Sequence, residues 1–167
     1  MPKASLSIWR SELLATGRIV QDEDLSVTRA EAESGFNRYV QMIDELDGSE
    51  GLEAALALVQ SIQMPNDYGA YERTLNALLF IFPPSQAAAA IVSELPRLIA
   101  TLPEWAGNLL SSIARSEVAS RALLAAFNTA LALAPTANRE KILAFVHQEE
   151  VGGWLEDRQG LIRPVGL

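Results

Sequence analysis

Apolar residues recur at helical spacing along almost the whole chain, alanine and leucine dominate, and period-two runs of valine, isoleucine and threonine are missing. These three observations predict an all-α protein. Predicted helix starts near residues 67, 103 and 137 are spaced by 36 and 34 residues, close to the period of stacked helix hairpins, although no repeat signature accompanies them. The expected architecture is a compact array of antiparallel helix hairpins, HEAT-like or an irregular orthogonal bundle, in a single domain over residues 1–167. A chain of 167 residues can bury roughly 70% of the surface its unfolded form exposes, so a real core is expected.

Residues 1–24 read as a leading helix over Leu6–Thr16, ended by Gly17, and an acidic connector with Asp22, Glu23 and Asp24. Thr28 opens the second helix, because Thr-Arg-Ala-Glu has the spacing of a capping box. Its expected apolar stripe is Phe36, Tyr39, Val40, Ile43 and Leu46, with Gly48 as the stop. A third helix spans Glu50–Gln63 and a fourth Asp67–Phe82. Pro83 and Pro84 make a turn, Ser85 caps the fifth helix, and Pro96 should kink or split it.

Thr101 and Glu104 again have capping-box spacing, with Pro103 in the first turn. Trp105 lies on the stripe Leu102, Trp105, Ala106, Leu109, Leu110, Ile113 and is expected in the core. Ser116 and Glu117 start a further helix, and Ala137–Glu150 forms the last long one. Residues 151–167 are too glycine-rich for another and are expected to pack Trp154 back on the last helix pair.

Residues 74–93 carry no charge over a bilayer's width, but the double proline in their middle would leave backbone groups unpaired there, which points away from a membrane span. The amino-terminal segment is interrupted by polar residues before any apolar run reaches signal-peptide length, so a cytoplasmic location is expected. With no cysteine, disulfides and thiolate chemistry are excluded. The only histidine, His147, stands three residues before Glu150; a di-metal helix motif of that type needs a second copy, so a solvated helix end is the reading and no metal or cofactor is expected. Phosphate-binding glycine loops and the serine-hydrolase elbow are missing, and no carboxylate pair stands out for glycoside cleavage. The reading is of a protein that is not an enzyme.

The 21 acidic residues against 13 basic ones give a net charge of −8 and a pI near 4.7, which disfavours direct contact with nucleic acid and suits a basic protein partner. Between Arg38 and Arg73 no lysine or arginine occurs, while Asp44, Glu45, Asp47, Glu50, Glu53, Asp67 and Glu72 all do. Carboxylates crowding the carboxyl end of a helix oppose its dipole, so folding is expected to gain nothing locally from them. A solvated face that aids solubility accounts for the run, and so does docking of a cationic partner. Tyr68 and Tyr71 beside these acids are candidate docking residues, one expected to cap the core and the other to stay accessible, and this favours docking, since tyrosine anchors interfaces.

Tyr-Glu-Arg-Thr-Leu-Asn-Ala-Leu-Leu-Phe-Ile-Phe at 71–82, followed by the Pro-Glu-Trp helix start within 93–116, resembles the helical immunity proteins of bacterial toxin systems, including contact-dependent growth inhibition and other polymorphic toxins. The resemblance covers about the middle third of the chain and implies a small cytoplasmic inhibitor that binds a cognate toxin domain, often a basic nuclease. HEAT-like adaptors share the Leu-Pro-x-Leu-Ile character of 95–99. A helical adaptor or regulatory subunit binding a protein or peptide is therefore the alternative.

Overall fold

The computed structural model of the protein describes residues 3–115 and 118–165. All regular structure among them is helical: α1 (Lys3–Thr16), α2 (Arg29–Asp44), α3 (Leu52–Gln60), α4 (Ala70–Asn76), α5 (Pro84–Thr101), α6 (Pro103–Ile113), α7 (Val118–Leu133) and α8 (Thr136–Glu150). A π-helical turn over Ala77–Ile81 extends α4, and a 3-10 turn over Glu156–Arg158 interrupts the tail. No helix of the described residues is long and apolar enough to cross a membrane. The chain forms two compact units, Met1–Phe82 and Pro83–Leu167.

In the first unit α1 packs on α2 and α3, and α2 packs on α4. The capping box at Thr28 is present: its hydroxyl accepts from the Glu31 amide, and the Glu31 carboxylate accepts from the Thr28 amide. The buried face of α2 is Tyr39, Met42 and Ile43, continued by Leu46. It is rotated from the predicted stripe, because Phe36 and Val40 are only half-buried. The helix also ends at Glu45 rather than Gly48. Gly48 instead permits a close approach. At φ +86°, a Cβ there would stand 2.3 Å from the Ile81 carbonyl oxygen, so glycine lets this turn lie directly on the π-helical turn.

Two tyrosines organise this core. The Tyr71 hydroxyl donates to the Gly17 carbonyl at 2.6 Å and accepts the amides of Gln63 and Met64 at 3.1 and 3.0 Å. The Tyr39 hydroxyl stands between those of Ser61 and Thr74, and Ser61 donates to the Leu58 carbonyl. Burial raises the Tyr39 phenol far above its ordinary pKa, so it stays neutral. Gly17 is required by proximity, since a Cβ would meet the Ser61 carbonyl oxygen at 2.6 Å. α4 is shorter than the predicted 67–82 helix. Tyr68 and Gly69 both adopt positive φ, 50° and 90°, and hold residues 67–69 outside it, while Phe82 donates to Ala77 to close the wider last turn.

In the second unit α5 packs on α6, α7 and α8, with α7 its most extensive neighbour. Pro96 does not split α5, which runs unbroken from Pro84 to Thr101. Fully buried Leu95 and Leu98 on either side hold it in place, so tertiary packing overrides the lost hydrogen bond. Ser85 is not the cap of α5; Pro83 occupies that position and its carbonyl accepts from Gln86 and Ala87. The predicted capping box at Thr101 is also absent: its hydroxyl donates back to Arg97 within α5, and Leu102 stands at the cap of α6 without a side-chain bond. Pro103 takes the first position as predicted. Ala106, Leu109, Leu110 and Ile113 carry the core face of α6, whereas Trp105 is half-buried. The predicted start at Ser116 and Glu117 lies outside the described residues.

The tail forms no long helix, as expected, but the end of α8 is not a solvated one. His147 is exposed, while Glu149 and Glu150 are buried because both fasten the tail. Glu149 accepts from the Trp154 amide at 2.9 Å; Glu150 accepts from the Gly160 amide and pairs with Arg163, each at 2.8 Å. Leu155 and Ile162 are buried under this strap. Trp154 lies over α6 rather than the last helix pair, against Gly107, with its indole N–H directed to Glu104 at 3.4 Å.

Candidate functional site

The acids of the Arg38–Arg73 interval fall at the end of α2, in the turn after it, on α3, and on or just before α4. Asp44 is exposed near Arg73, at 3.9 Å, and Glu45 accepts from the Gln41 amide group at 2.9 Å. Asp47 accepts from the Ser49 amide at 2.9 Å, and Ser49 holds its carboxyl below the usual range. The two oxygens of Glu50 take the amides of Asp47 and Gly48 at 3.2 and 3.0 Å. Asp67, two residues before the cap of α4 at Gly69, accepts from the Tyr71 amide in its first turn at 2.6 Å. Glu53 stands in the first turn of α3, in a groove with Arg10 and Gln60, and Glu72 is exposed on α4.

Two expectations are corrected by this geometry. Asp47 and Glu50 do serve folding locally, because short-range amides in turns supply partners that helix-dipole reasoning ignores. Tyr71 cannot touch a partner, since its side chain is fully buried and its hydroxyl has three internal bonds. Arg38, at the edge of the run, is held by Glu12 from α1 through bonds of 2.6 and 3.0 Å.

Tyr68 is the predicted aromatic that remains accessible, 50% exposed. It stands at the mouth of a cleft of about 860 Å³ formed by the end of α1, the connector after it and the first half of α2. Val20, Ala32, Gly35 and Phe36 give the cleft its apolar lining, with Asp22, Glu33, Arg18 and Arg29 at the same site. Its walls are stitched together. Gln21 and Asn66 exchange hydrogen bonds of 2.8 and 3.3 Å, and the Tyr68 phenol is held above its ordinary pKa, first by burial and then by the Asp22 carboxylate it bonds. Sequence reasoning missed this cleft. The signal available was Gly35, a glycine in the middle of a well-capped helix.

Charge divides unequally between the units: Met1–Phe82 holds 13 acidic and 6 basic residues, Pro83–Leu167 holds 8 and 7. The first unit therefore carries a net charge of −7 of the total −8. Among the described residues no three His, Asp or Glu side chains come together in a metal-binding group. Compared with known proteins, the chain matches no family model, no curated protein and no solved structure.

Proposed function

We propose that this protein is a stoichiometric protein-binding inhibitor, in the manner of the helical immunity proteins, and that its first unit captures a basic domain such as a nuclease-type toxin. The observation that carries this reading is the unit-wide imbalance of 13 acids against 6 bases. A field of one sign accelerates encounter with an oppositely charged partner and selects against partners of like charge. Exposed Asp44, Glu45, Asp47, Glu53 and Glu72 supply the outward charge. Phe80 and Ile81, 55% and 38% exposed, add apolar surface beside the Gly48 turn, the combination of apolar centre and polar rim that interfaces use. Such an inhibitor acts in the cytoplasm and needs no cofactor.

The test is coexpression with the product of a toxin gene encoded beside it, followed by calorimetry at two salt concentrations and a growth assay. A one-to-one complex that weakens as salt rises, with rescue of growth, supports the reading. Binding indifferent to salt, or a complex without protection, refutes it.

A further inference from the structure

We propose that the cleft over Gly35 is an anchor pocket that receives an aliphatic or aromatic side chain of a basic polypeptide segment, with the segment's neighbouring lysines or arginines on the exposed acids of the adjoining connector and first turn of α2. This rests on the proposed capture of a basic partner and names where that partner is gripped.

Gly35 is the first ground. A glycine inside a helix is less favourable than alanine by about 1 kcal/mol, so a mid-helix glycine normally answers to close packing or a positive φ. Gly35 answers to neither: a Cβ there meets nothing within 4 Å, and its φ is not positive. The space beside it is the open cleft. The bare backbone at Gly35 leaves room for close approach by another chain.

The walls are the second ground. Phe36 is turned off the core face of α2 and lines the cleft with Val20 and Ala32. At the mouth, Tyr68 is held at φ 50°, a conformation unfavourable for a bulky residue, by a loop tied through Gln21–Asn66 and Tyr71–Gly17. The site is preformed, which lowers the ordering cost of binding. Its volume of about 860 Å³ lies within the range of ligand clefts, about 300–1,000 Å³. Charge is the third ground. Of the charged residues that line the cleft, Asp22 and Glu33 stand against Arg18 and Arg29, with Arg29 bonded to Glu33 at 2.8 Å, and exposed Glu23, Asp24 and Glu31 lie in the adjoining connector and first turn of α2. The surplus is negative, so the flanks of the occupant are basic.

Fluorescence anisotropy of three labelled synthetic peptides with the full chain tests this: lysine alternating with leucine and phenylalanine, lysine alternating with serine, and glutamate alternating with leucine and phenylalanine. The lysine–apolar peptide should bind, perturb backbone amide resonances of residues 20–22 and 32–36, and weaken about tenfold or more in Gly35→Leu and Tyr68→Ala. Gly35→Leu should melt no lower than the parent, which separates a filled pocket from a damaged fold; if it does melt lower, the resonance map and Tyr68→Ala decide. Equal binding by parent and both variants, or resonance changes confined to other residues, overturns the anchor pocket and leaves the capture reading standing. Preference for the glutamate peptide, or no binding of either lysine peptide even at low salt, overturns both.

Discussion

Tyr39 and Tyr71 cross edge to face inside the first unit, ring centroids 5.9 Å apart and planes at 71°. The two rings are neighbours, but their hydroxyls have separate duties. Tyr39 joins α2 to α3 and α4 through side-chain hydroxyls, whereas Tyr71 satisfies backbone groups of three different residues. Removing the Tyr71 hydroxyl leaves the Gly17 carbonyl and two amides without that partner. Tyr71→Phe should therefore destabilise the first unit by about 1–3 kcal/mol, read from urea denaturation.

Two glycines make opposite predictions although both stand against a close neighbour. At Gly17 the obstacle is backbone, the Ser61 carbonyl, so Gly17→Ala must push α1 and α3 apart and should lower the melting temperature by several degrees, consistent with a loss of about 1–3 kcal/mol. At Gly107 the obstacle is the Trp154 indole, 2.2 Å from the ideal Cβ position, on a side chain that is 45% exposed and free to swing away. Gly107→Ala should leave the core intact and unseat the indole, seen as red-shifted tryptophan emission.

The tail strap should loosen with acid. The Arg163 guanidinium beside Glu150 holds its carboxyl below the ordinary value of 4.5, with the Gly160 amide helping and burial opposing. A carboxyl whose folded pKa is depressed stabilises the fold fully above its unfolded pKa, and that contribution disappears as pH falls through the folded value. Glu150→Gln should cost about 1–2 kcal/mol at neutral pH, Arg163 being half-exposed and its ion pair partly screened. The difference from the parent should shrink as pH falls below 4.5 and close once pH passes the depressed folded value. Urea melts from pH 7 to pH 3 measure it; a difference that is constant across that range would show that the charge is irrelevant.

Gly35→Ala should raise the stability of the first unit by up to about 1 kcal/mol, since the helix gains propensity and the new methyl meets open space. Thermal melts of the two chains measure it, and a loss of stability would mean that the glycine serves the fold after all.

The helical class, the Thr28 capping box and the Pro103 start were legible because each depends on residues within one or two turns. The Thr101–Glu104 pair has the same spacing as Thr28–Glu31, yet Thr101 belongs to the preceding helix and bonds Arg97 instead. Spacing does not record where the chain turns. Which of Tyr68 and Tyr71 enters the core was not legible locally, because Gly17, the residue that claims the Tyr71 hydroxyl, is 54 positions away. The burial of Glu150 likewise depends on Arg163, beyond a glycine-rich stretch with no periodicity to read. The cleft is made by a connector and a turn stitched at Gln21 and Asn66, 45 residues apart, and no local pattern announces such a seam.

With Ser61 donating to the Leu58 carbonyl, the hydroxyls of Ser61, Tyr39 and Thr74 are all satisfied in a single direction. Ser61 commits its single proton to the Leu58 carbonyl, so its oxygen must receive from Tyr39; the phenol has then no proton left for Thr74, and Thr74 must donate to it. The relay thus has a fixed direction, running from threonine to tyrosine to serine to backbone. Its links are not equivalent: valine at 74 would deprive the phenol of a donor, whereas phenylalanine at 39 would strand a donor at one end and an acceptor at the other. That second vacancy has the polarity of a water molecule's own binding site.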